Sequence, residues 1–218
     1  MTPRYRTIIL DVDSTLAALE GIDWLAARRG PDVARRVAEA TDRAMRGEIT
    51  LDAVYGERLA LVQPGRDDIA ALAQAYEAAL VPGARDAIAR LQAADVRVVL
   101  VSGGIRQALI PLGRAVGIAP TDVHAVDVVI DMGGRYFAYD AGSPLATQTG
   151  KRAVAEALLA DGHARPMLGV GDGATDLAMR GTVDAFAAFT GVVRREPVVR
   201  DADLEIASFD QLLETVLA

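Results

Sequence analysis

Short aliphatic runs that end at polar or glycine-rich segments constrain the fold of this chain more than any other feature. Three such runs are clear: Thr7–Leu10, Arg97–Val101 and Met167–Val170. Continuous aliphatic runs of this length are typical of strands buried on both faces of a parallel sheet. Between and after them, apolar residues recur with helical period over Gly83–Ala94, Ile105–Val116 and Arg152–Ala160. Strands that alternate with helices form βαβ units, so the pattern predicts an α/β protein with a three-layer, Rossmann-like parallel sheet as its core.

The carboxyl-terminal part of the chain continues this pattern. Val183–Phe189 and Leu204–Ala207 are predicted strands, and a closing helix is expected from about Phe209. The region Val123–Tyr139 contains Met132-Gly133-Gly134 between two β-rich runs, which indicates a hairpin.

Residues 16–80 differ from the rest of the chain. They show helical periodicity without a convincing strand and are broken at Gly30-Pro31, Gly47 and Pro64-Gly65. We interpret this segment as a helical cap inserted into the core, which then comprises residues 1–15 and 81–218. The two connections, near Leu16 and near residues 81–83, are natural hinges.

Composition excludes several classes of function. The formal net charge is −7 and the pI is about 4.9, which opposes binding to nucleic acid or to an anionic membrane. The chain has no cysteine, so disulfides and thiolate metal sites are excluded. The apolar run before Asp11 is too short for a signal peptide, and none approaches the roughly 18 to 20 residues that cross a bilayer. A cytoplasmic protein is expected, whereas the oligomeric state does not follow from the sequence.

A pair of carboxylates follows the first predicted strand, in the segment Asp11-Val12-Asp13-Ser14-Thr15. Ligands of open α/β sheets bind at the carboxyl ends of the strands. Side chains two residues apart on an extended backbone project to the same side, which would place a nucleophile beside a proton donor. Asp11 would attack phosphorus, while Asp13 would protonate the leaving oxygen and later deprotonate water.

Two further segments suit phosphate binding. After the second strand, Ser102-Gly103-Gly104 offers a hydroxyl and backbone N–H groups, which together make a cradle for phosphate oxygens. Lys151 follows Gly150 at a predicted helix start and would neutralise the phosphate and the attacking carboxylate.

The third strand ends in Gly171-Asp172-Gly173-Ala174-Thr175-Asp176. Mg²⁺ prefers oxygen ligands and binds through one or two carboxylates together with substrate phosphate. Asp11, Asp172 and the main-chain carbonyl of Asp13 suit that role, and Asp176 would brace the ligands from behind. Taken alone, each of these segments also fits a structural turn, a capped helix start or a solvated side chain. Their coincidence at successive strand ends favours a shared active site.

The order of these segments resembles the haloacid dehalogenase superfamily and, within it, the phosphoserine phosphatase family. The resemblance spans nearly the whole chain. Its specific features are the sequences DVDSTL and Glu20-Gly21-Ile22-Asp23, then Arg43-Ala44-Met45, then residues 57–64 (ERLALVQP), and finally SGG and GDGATD.

The resemblance implies a role for each matching residue. Asp11 would be phosphorylated, with Asp13 as acid and base. Ser102, Gly103 and Lys151 would hold the phosphate group. In the cap, Glu20 would face the ammonium group of phosphoserine and Arg58 its carboxylate, while Met45 and Thr175 would line the substrate site. A bidentate arginine opposite a glutamate suits a zwitterionic head group.

The resemblance therefore implies a Mg²⁺-dependent phosphatase that acts on a small phosphorylated substrate and serves serine biosynthesis. A phosphatase or phosphotransferase for another small phosphorylated metabolite is the alternative within enzymes. A phospho-accepting signalling module also places an aspartate and Mg²⁺ at strand ends, but it would have neither the cap nor Asp13. A binding protein without catalytic activity is a further alternative, which the intact set of acidic residues and Lys151 opposes.

Overall fold

The fold is built on one parallel β-sheet. A computed structural model describes residues 2–45 and 51–217, except for the side chains of Asp42, Ala44, Met45 and Leu51. Its strands are β1 Thr7–Leu10, β2 Arg97–Ile105, β3 Val123–Val126, β4 Val128–Ile130, β5 Tyr136–Tyr139, β6 Met167–Gly171, β7 Ala185–Phe189 and β8 Leu204–Ile206. Six of them form a sheet in the order β3-β2-β1-β6-β7-β8, and every pairing in it is parallel.

Strand β1 lies in the middle of this sheet, where its side chains are fully buried. Leu10 pairs with Leu100 on one side and with Val170 on the other. The residues that follow these three positions therefore lie at the same edge of the sheet, and this edge carries the polar segments identified from the sequence.

Ten α-helices surround the strands in the described part of the chain. They are α1 Gly21–Arg28, α2 Pro31–Met45, α3 Leu51–Val62, α4 Arg66–Ala78, α5 Ala84–Ala93, α6 Arg106–Ala115, α7 Gly150–Ala160, α8 Ala174–Leu177, α9 Glu196–Asp201 and α10 Phe209–Leu217. The predicted α/β class is confirmed, and the predicted helices in the core differ from the observed ones by one or two residues at their ends. Among the described helices, none combines the length and the hydropathy needed to span a membrane.

One sequence prediction was wrong in detail. The second strand does not end at Val101 but runs to Ile105, and its pairing with β3 is interrupted between these two residues. Ser102, Gly103 and Gly104 lie in this irregular stretch, because the ladder loses its register there. The hairpin predicted around Met132-Gly133-Gly134 is present, because β4 and β5 pair antiparallel on either side of these residues, whereas β3 joins the parallel sheet.

The segment 16–80 contains helices α1 to α4, and its described residues take part in only isolated β-bridges. Its two connections run side by side: Ala18 N–H donates to Ala79 O over 2.8 Å and Val81 N–H to Leu16 O over 3.0 Å. The β4–β5 hairpin reaches this segment, since the Arg66 N–H donates to Gly134 O over 2.8 Å. The division into core and cap stays a prediction.

Candidate active site

The carboxyl edge of the sheet holds a buried cluster of three carboxylates. Asp11 follows β1, while Asp172 and Asp176 follow β6, and all three are buried. One oxygen of each lies within 4.8 Å of the others. Gly171 allows this approach, because a Cβ atom there would lie 2.2 Å from Cγ of Asp176. The strand ends thus concentrate negative charge at one point.

Lys151 neutralises part of this charge. It lies in the first turn of α7, is 7% exposed, and its Nζ donates to Asp11 Oδ1 over 2.5 Å and to Asp176 Oδ1 over 2.6 Å. Burial alone would lower the pKa of Lys151, but the two carboxylates raise it above its usual value. Lys151 is therefore an ammonium ion held against the carboxylate predicted to attack phosphorus.

The pKa values of two of these carboxyl groups, Asp11 and Asp176, are raised. Burial and the charge of Asp176 raise the pKa of Asp11 well above its usual value, although Lys151 acts in the opposite direction. Burial also raises the pKa of Asp176, against the influence of Lys151. Lys151 at Asp11 and Asp176, and Arg195 at Asp172, are two cations against three buried carboxylates. This leaves excess negative charge, which a further cation would stabilise.

The donor set fits a hard divalent cation. Asp176 is engaged on both oxygens, because Oδ1 accepts from Lys151 and Oδ2 accepts from the Gly173 N–H over 3.0 Å. Asp11 accepts from Lys151 on Oδ1, and Asp172 accepts a longer hydrogen bond from the Thr15 hydroxyl on Oδ1, over 3.4 Å, and one from Arg195 on Oδ2 over 2.8 Å. Asp11 Oδ2 and Asp172 Oδ1 are therefore the less firmly held carboxylate oxygens of the cluster among the described residues. Carboxylate oxygens at this spacing are the ligands that Mg²⁺ prefers.

Asp13 lies beside this cluster and is held on both oxygens. Its Oδ1 accepts from the Gly21 N–H over 2.8 Å and from the Tyr76 hydroxyl over 2.7 Å. Its Oδ2 accepts from the Ser102 hydroxyl over 3.1 Å. The aspartate predicted to transfer protons is thus joined both to the segment predicted to bind phosphate and to helices α1 and α4.

Ser102 and Gly103 lie in the irregular stretch of β2, between Val101 and Ile105. Ser102 is fully buried, and its Oγ accepts the Gly104 N–H over 2.9 Å while its hydroxyl hydrogen points to Asp13. Gly103 is partly exposed, and a Cβ there would lie 3.4 Å from the carbonyl oxygen of Leu145. Both residues therefore lie beside Asp13, and their binding of phosphate stays a prediction.

Glu20, predicted to face the ammonium group, also lies at the site. Its Oε1 accepts the Ser14 hydroxyl over 2.7 Å. Ser14 has φ of 52°, which is uncommon for a residue other than glycine and marks a tight reversal after the acidic pair. Partial burial and the charge of Asp13 raise the pKa of Glu20 to about 7.

Arg58, predicted to face the substrate carboxylate, is only partly satisfied. Its Nη2 donates to Asp23 Oδ1 over 2.9 Å. Its Nε is buried and has no hydrogen-bond partner among the described residues, and the same is true of the Tyr55 hydroxyl one helical turn earlier. Buried donors without an acceptor are rare in proteins, so this face of α3 can donate hydrogen bonds to a bound group.

Thr175 and Met45 are the remaining residues predicted to line the substrate site. Thr175 lies in α8 between Asp172 and Asp176 and is partly buried. Met45 is the last residue of α2, but its side chain lies outside the described residues.

Sequence reasoning missed two residues of the site, Tyr76 and Arg195. Arg195 Nε donates to Asp172 Oδ2 over 2.8 Å, and its guanidinium lies 3.8 Å from Glu20 Oε1. Arg195 precedes α9 in a segment without any motif, and Tyr76 occupies an apolar helix face where a core aromatic is expected. Neither carries a sequence signal that separates it from a structural residue.

Comparisons with known proteins agree with this geometry. A sequence profile described as haloacid dehalogenase-like hydrolase matches residues 8–180. Phosphoserine phosphatase of Homo sapiens is 37% identical over 206 residues, which are 94% of this chain and 91% of the human protein.

Solved structures extend the likeness to the fold. A phosphoserine phosphohydrolase-like protein from Francisella tularensis matches with a TM-score of 0.82 at 21% identity, covering 96% of this chain and 98% of that one. A phospho-aspartyl intermediate analogue of phosphoserine phosphatase matches with a TM-score of 0.79 at 22% identity, covering 97% and 98%. The resemblance noted from the sequence is confirmed, and the chain belongs to the haloacid dehalogenase-like hydrolases.

Proposed function

We propose that this protein is a Mg²⁺-dependent phosphoserine phosphatase that hydrolyses O-phosphoserine to serine and phosphate in serine biosynthesis, in the cytoplasm. The observation that carries the proposal is the Asp11 carboxylate, held by a buried lysine at the carboxyl edge of the sheet with Asp13 two residues further on. Membership of a hydrolase family and a human relative named phosphoserine phosphatase support it.

The reaction proceeds in two balanced steps. First, an oxygen of Asp11 forms a bond to phosphorus, the bond from phosphorus to the serine oxygen breaks, and Asp13 gives its proton to that oxygen. Then a water oxygen attacks phosphorus, Asp13 takes its proton, and the bond between Asp11 and phosphorus breaks. Lys151 offsets the negative charge that gathers on the phosphoryl oxygens, and Ser102 and Gly103 donate to the same oxygens.

Asp11, Asp172 and the carbonyl of Asp13 would hold the metal ion, and Asp176 would brace it through Lys151. When bound, Mg²⁺ supplies charge neutralisation that lets two anions, the carboxylate and the phosphate, approach each other. Three buried carboxylates within reach of one another, two of them hydrogen-bonded to Lys151, support this assignment.

The amino-acid part of the substrate would bind between the core and helix α3. The unpaired Nε of Arg58 offers a charge-assisted hydrogen bond to the substrate carboxylate. Glu20 would face the ammonium group from the other side, with Thr175 and Met45 lining the space. A zwitterion satisfies both charges, which favours phosphoserine over phosphates that lack one of its two groups.

A substrate panel tests the proposal. We expect phosphate release from L-phosphoserine, dependent on Mg²⁺, with kcat/KM well above that for phosphothreonine, phosphoethanolamine and sugar phosphates. Preference for another of these substrates would assign a different phosphatase activity to the same core. A stable phosphoprotein without turnover would instead indicate a signalling module, and binding without phosphorylation would indicate a binding protein.

A further inference from the structure

Tyr76 makes the most unusual contact of the site. It lies on α4, more than sixty residues from the acidic pair, and is fully buried. Its hydroxyl donates to Asp13 Oδ1 over 2.7 Å. A hydroxyl carried by a rigid ring has little freedom once the ring is packed, so this donor fixes the position of the oxygen that it contacts.

Gly21 completes the arrangement at the start of α1. Its N–H donates to the same oxygen, Asp13 Oδ1, over 2.8 Å. A Cβ atom at this position would lie 2.1 Å from the Tyr76 hydroxyl oxygen. Only glycine therefore lets the tyrosine hydroxyl and the backbone N–H reach one carboxylate oxygen together.

The two oxygens of Asp13 consequently differ in their surroundings. Oδ1 is held by two donors from the predicted cap, while Oδ2 faces Ser102 at the predicted phosphate cradle. A turn of the carboxyl group away from this orientation would break the paired contacts at Oδ1.

We propose that Tyr76 is a positioning residue: together with the Gly21 N–H it holds Oδ1 of Asp13 and so presents Oδ2 to the oxygen that leaves phosphorus. The proposal rests on the function proposed above, because it assigns Asp13 the transfer of a proton to that oxygen. Tyr76 itself does not touch the substrate in this account. Its effect is confined to steps in which Asp13 gives or takes a proton.

A comparison of two leaving groups isolates this role. Serine must be protonated as it leaves, whereas the nitrophenolate of p-nitrophenyl phosphate leaves without a proton. We would measure the first turnover of both substrates by rapid quench and stopped flow in the wild type and in Tyr76→Phe, with Mg²⁺ present. Tyr5→Phe is the matched control, because Tyr5 is a buried tyrosine before β1, at the opposite edge of the sheet.

We expect Tyr76→Phe to release serine about 10- to 100-fold more slowly in the first turnover, as displacement of a reacting group by a fraction of an ångström can do. Its first release of nitrophenolate should stay within about twofold of the wild type, and Tyr5→Phe should leave both rates unchanged. Equal losses with both substrates, no loss with either, or an effect on KM alone would each overturn the proposal.

A second variant tests the contact by another route. Gly21→Ala keeps the backbone N–H but places a methyl group where the Tyr76 hydroxyl lies, so the same selective loss is expected, and a loss that does not discriminate between the substrates counts against the proposal. If the wild type does not hydrolyse phosphoserine, the proposed function fails. The positioning role is then tested with whichever alkyl phosphate of the panel the wild type hydrolyses.

Discussion

Replacing Lys151 by methionine removes one charge from the centre of the site with little change in side-chain length. The lysine is nearly buried, and so are both of its partners, Asp11 and Asp176. Breaking a buried ion pair by removing one member costs about 3 to 5 kcal/mol, because the remaining charge is left without compensation. We expect a loss in this range at pH 8 in the metal-free protein, measured by urea denaturation.

The loss of stability in Lys151→Met should be larger at high pH than at low pH. The pKa values of Asp11 and Asp176 are already raised, so the folded protein binds more protons than the unfolded chain as the pH rises above their ordinary pKa. Stability therefore falls with rising pH in that range. Without Lys151, which lowers both pKa values, they rise further, and each additional pKa unit adds about 1.4 kcal/mol to the loss at high pH. Lys151 itself is charged at both pH 5 and pH 8, because its pKa is raised.

The neighbouring residue provides the control. Arg152 pairs with Glu156 on the exposed face of α7, and both side chains are more than half exposed. Arg152→Met should cost less than about 0.5 kcal/mol and show no difference between pH 5 and pH 8. A loss below about 1 kcal/mol in Lys151→Met, or the same loss at both pH values, would refute the view that this lysine compensates the buried carboxylates.

Three further predictions follow from the same contacts. Asp11→Asn should fold, by circular dichroism, but release phosphate at least about 10⁴-fold more slowly, because the substitution removes the proposed nucleophile. Retained turnover would exclude Asp11 from that role. Mg²⁺ at about 100 times its Kd should stabilise the wild type by about 2.7 kcal/mol and raise its Tm by roughly 5 to 10 °C. Chelation of the metal should abolish phosphate release, and an unchanged Tm would argue against a metal ion at the carboxylate cluster. Arg58→Ala should lower kcat/KM for phosphoserine by about 10- to 100-fold and for p-nitrophenyl phosphate far less, since only phosphoserine has a carboxylate to lose; equal losses would contradict the assignment of Arg58.

The core of the site could be predicted from sequence because its residues follow from sheet geometry. Asp11 and Asp172 come directly after buried strands, and parallel strands in register bring these ends to one edge. Lys151 is different, since a lysine at a helix start is solvated in most proteins. Only its place in the order of segments indicated that Lys151 belongs to the site, and the structure shows it buried between two carboxylates.

The irregular stretch of β2 could not be predicted in the same way. A run such as Val98–Val101 indicates a strand, but its end depends on the partner strand. Pairing with β3 resumes at Ile105 after the break, so the glycines remain within the strand instead of forming the predicted turn to a helix. Register is a property of two strands together, and a single run of residues does not contain it.

Tyr76 shows what helical periodicity in a sequence does not predict. Ile69, Leu72, Ala73 and Tyr76 form the buried face of α4 with regular helical spacing, so the sequence predicts a core position for the tyrosine. The position is indeed in the core, but its hydroxyl ends at Asp13. Periodicity predicts which side chains are buried, whereas the partner of a buried polar atom depends on how separate elements pack.

The place at which the helical segment enters the chain explains why that partner is Asp13, the residue proposed to transfer the proton. The segment begins immediately after the acidic pair, and its two connections are hydrogen-bonded to each other at Leu16 and Val81. Helices α1 and α4 start and end at these connections, so their nearest polar atoms lie within reach of Asp13. An insertion after any other strand would have left Asp13 to solvent or to the loops of the core. The covalent connection that would let the predicted cap select a substrate would therefore also let it orient Asp13, the group proposed to transfer the proton.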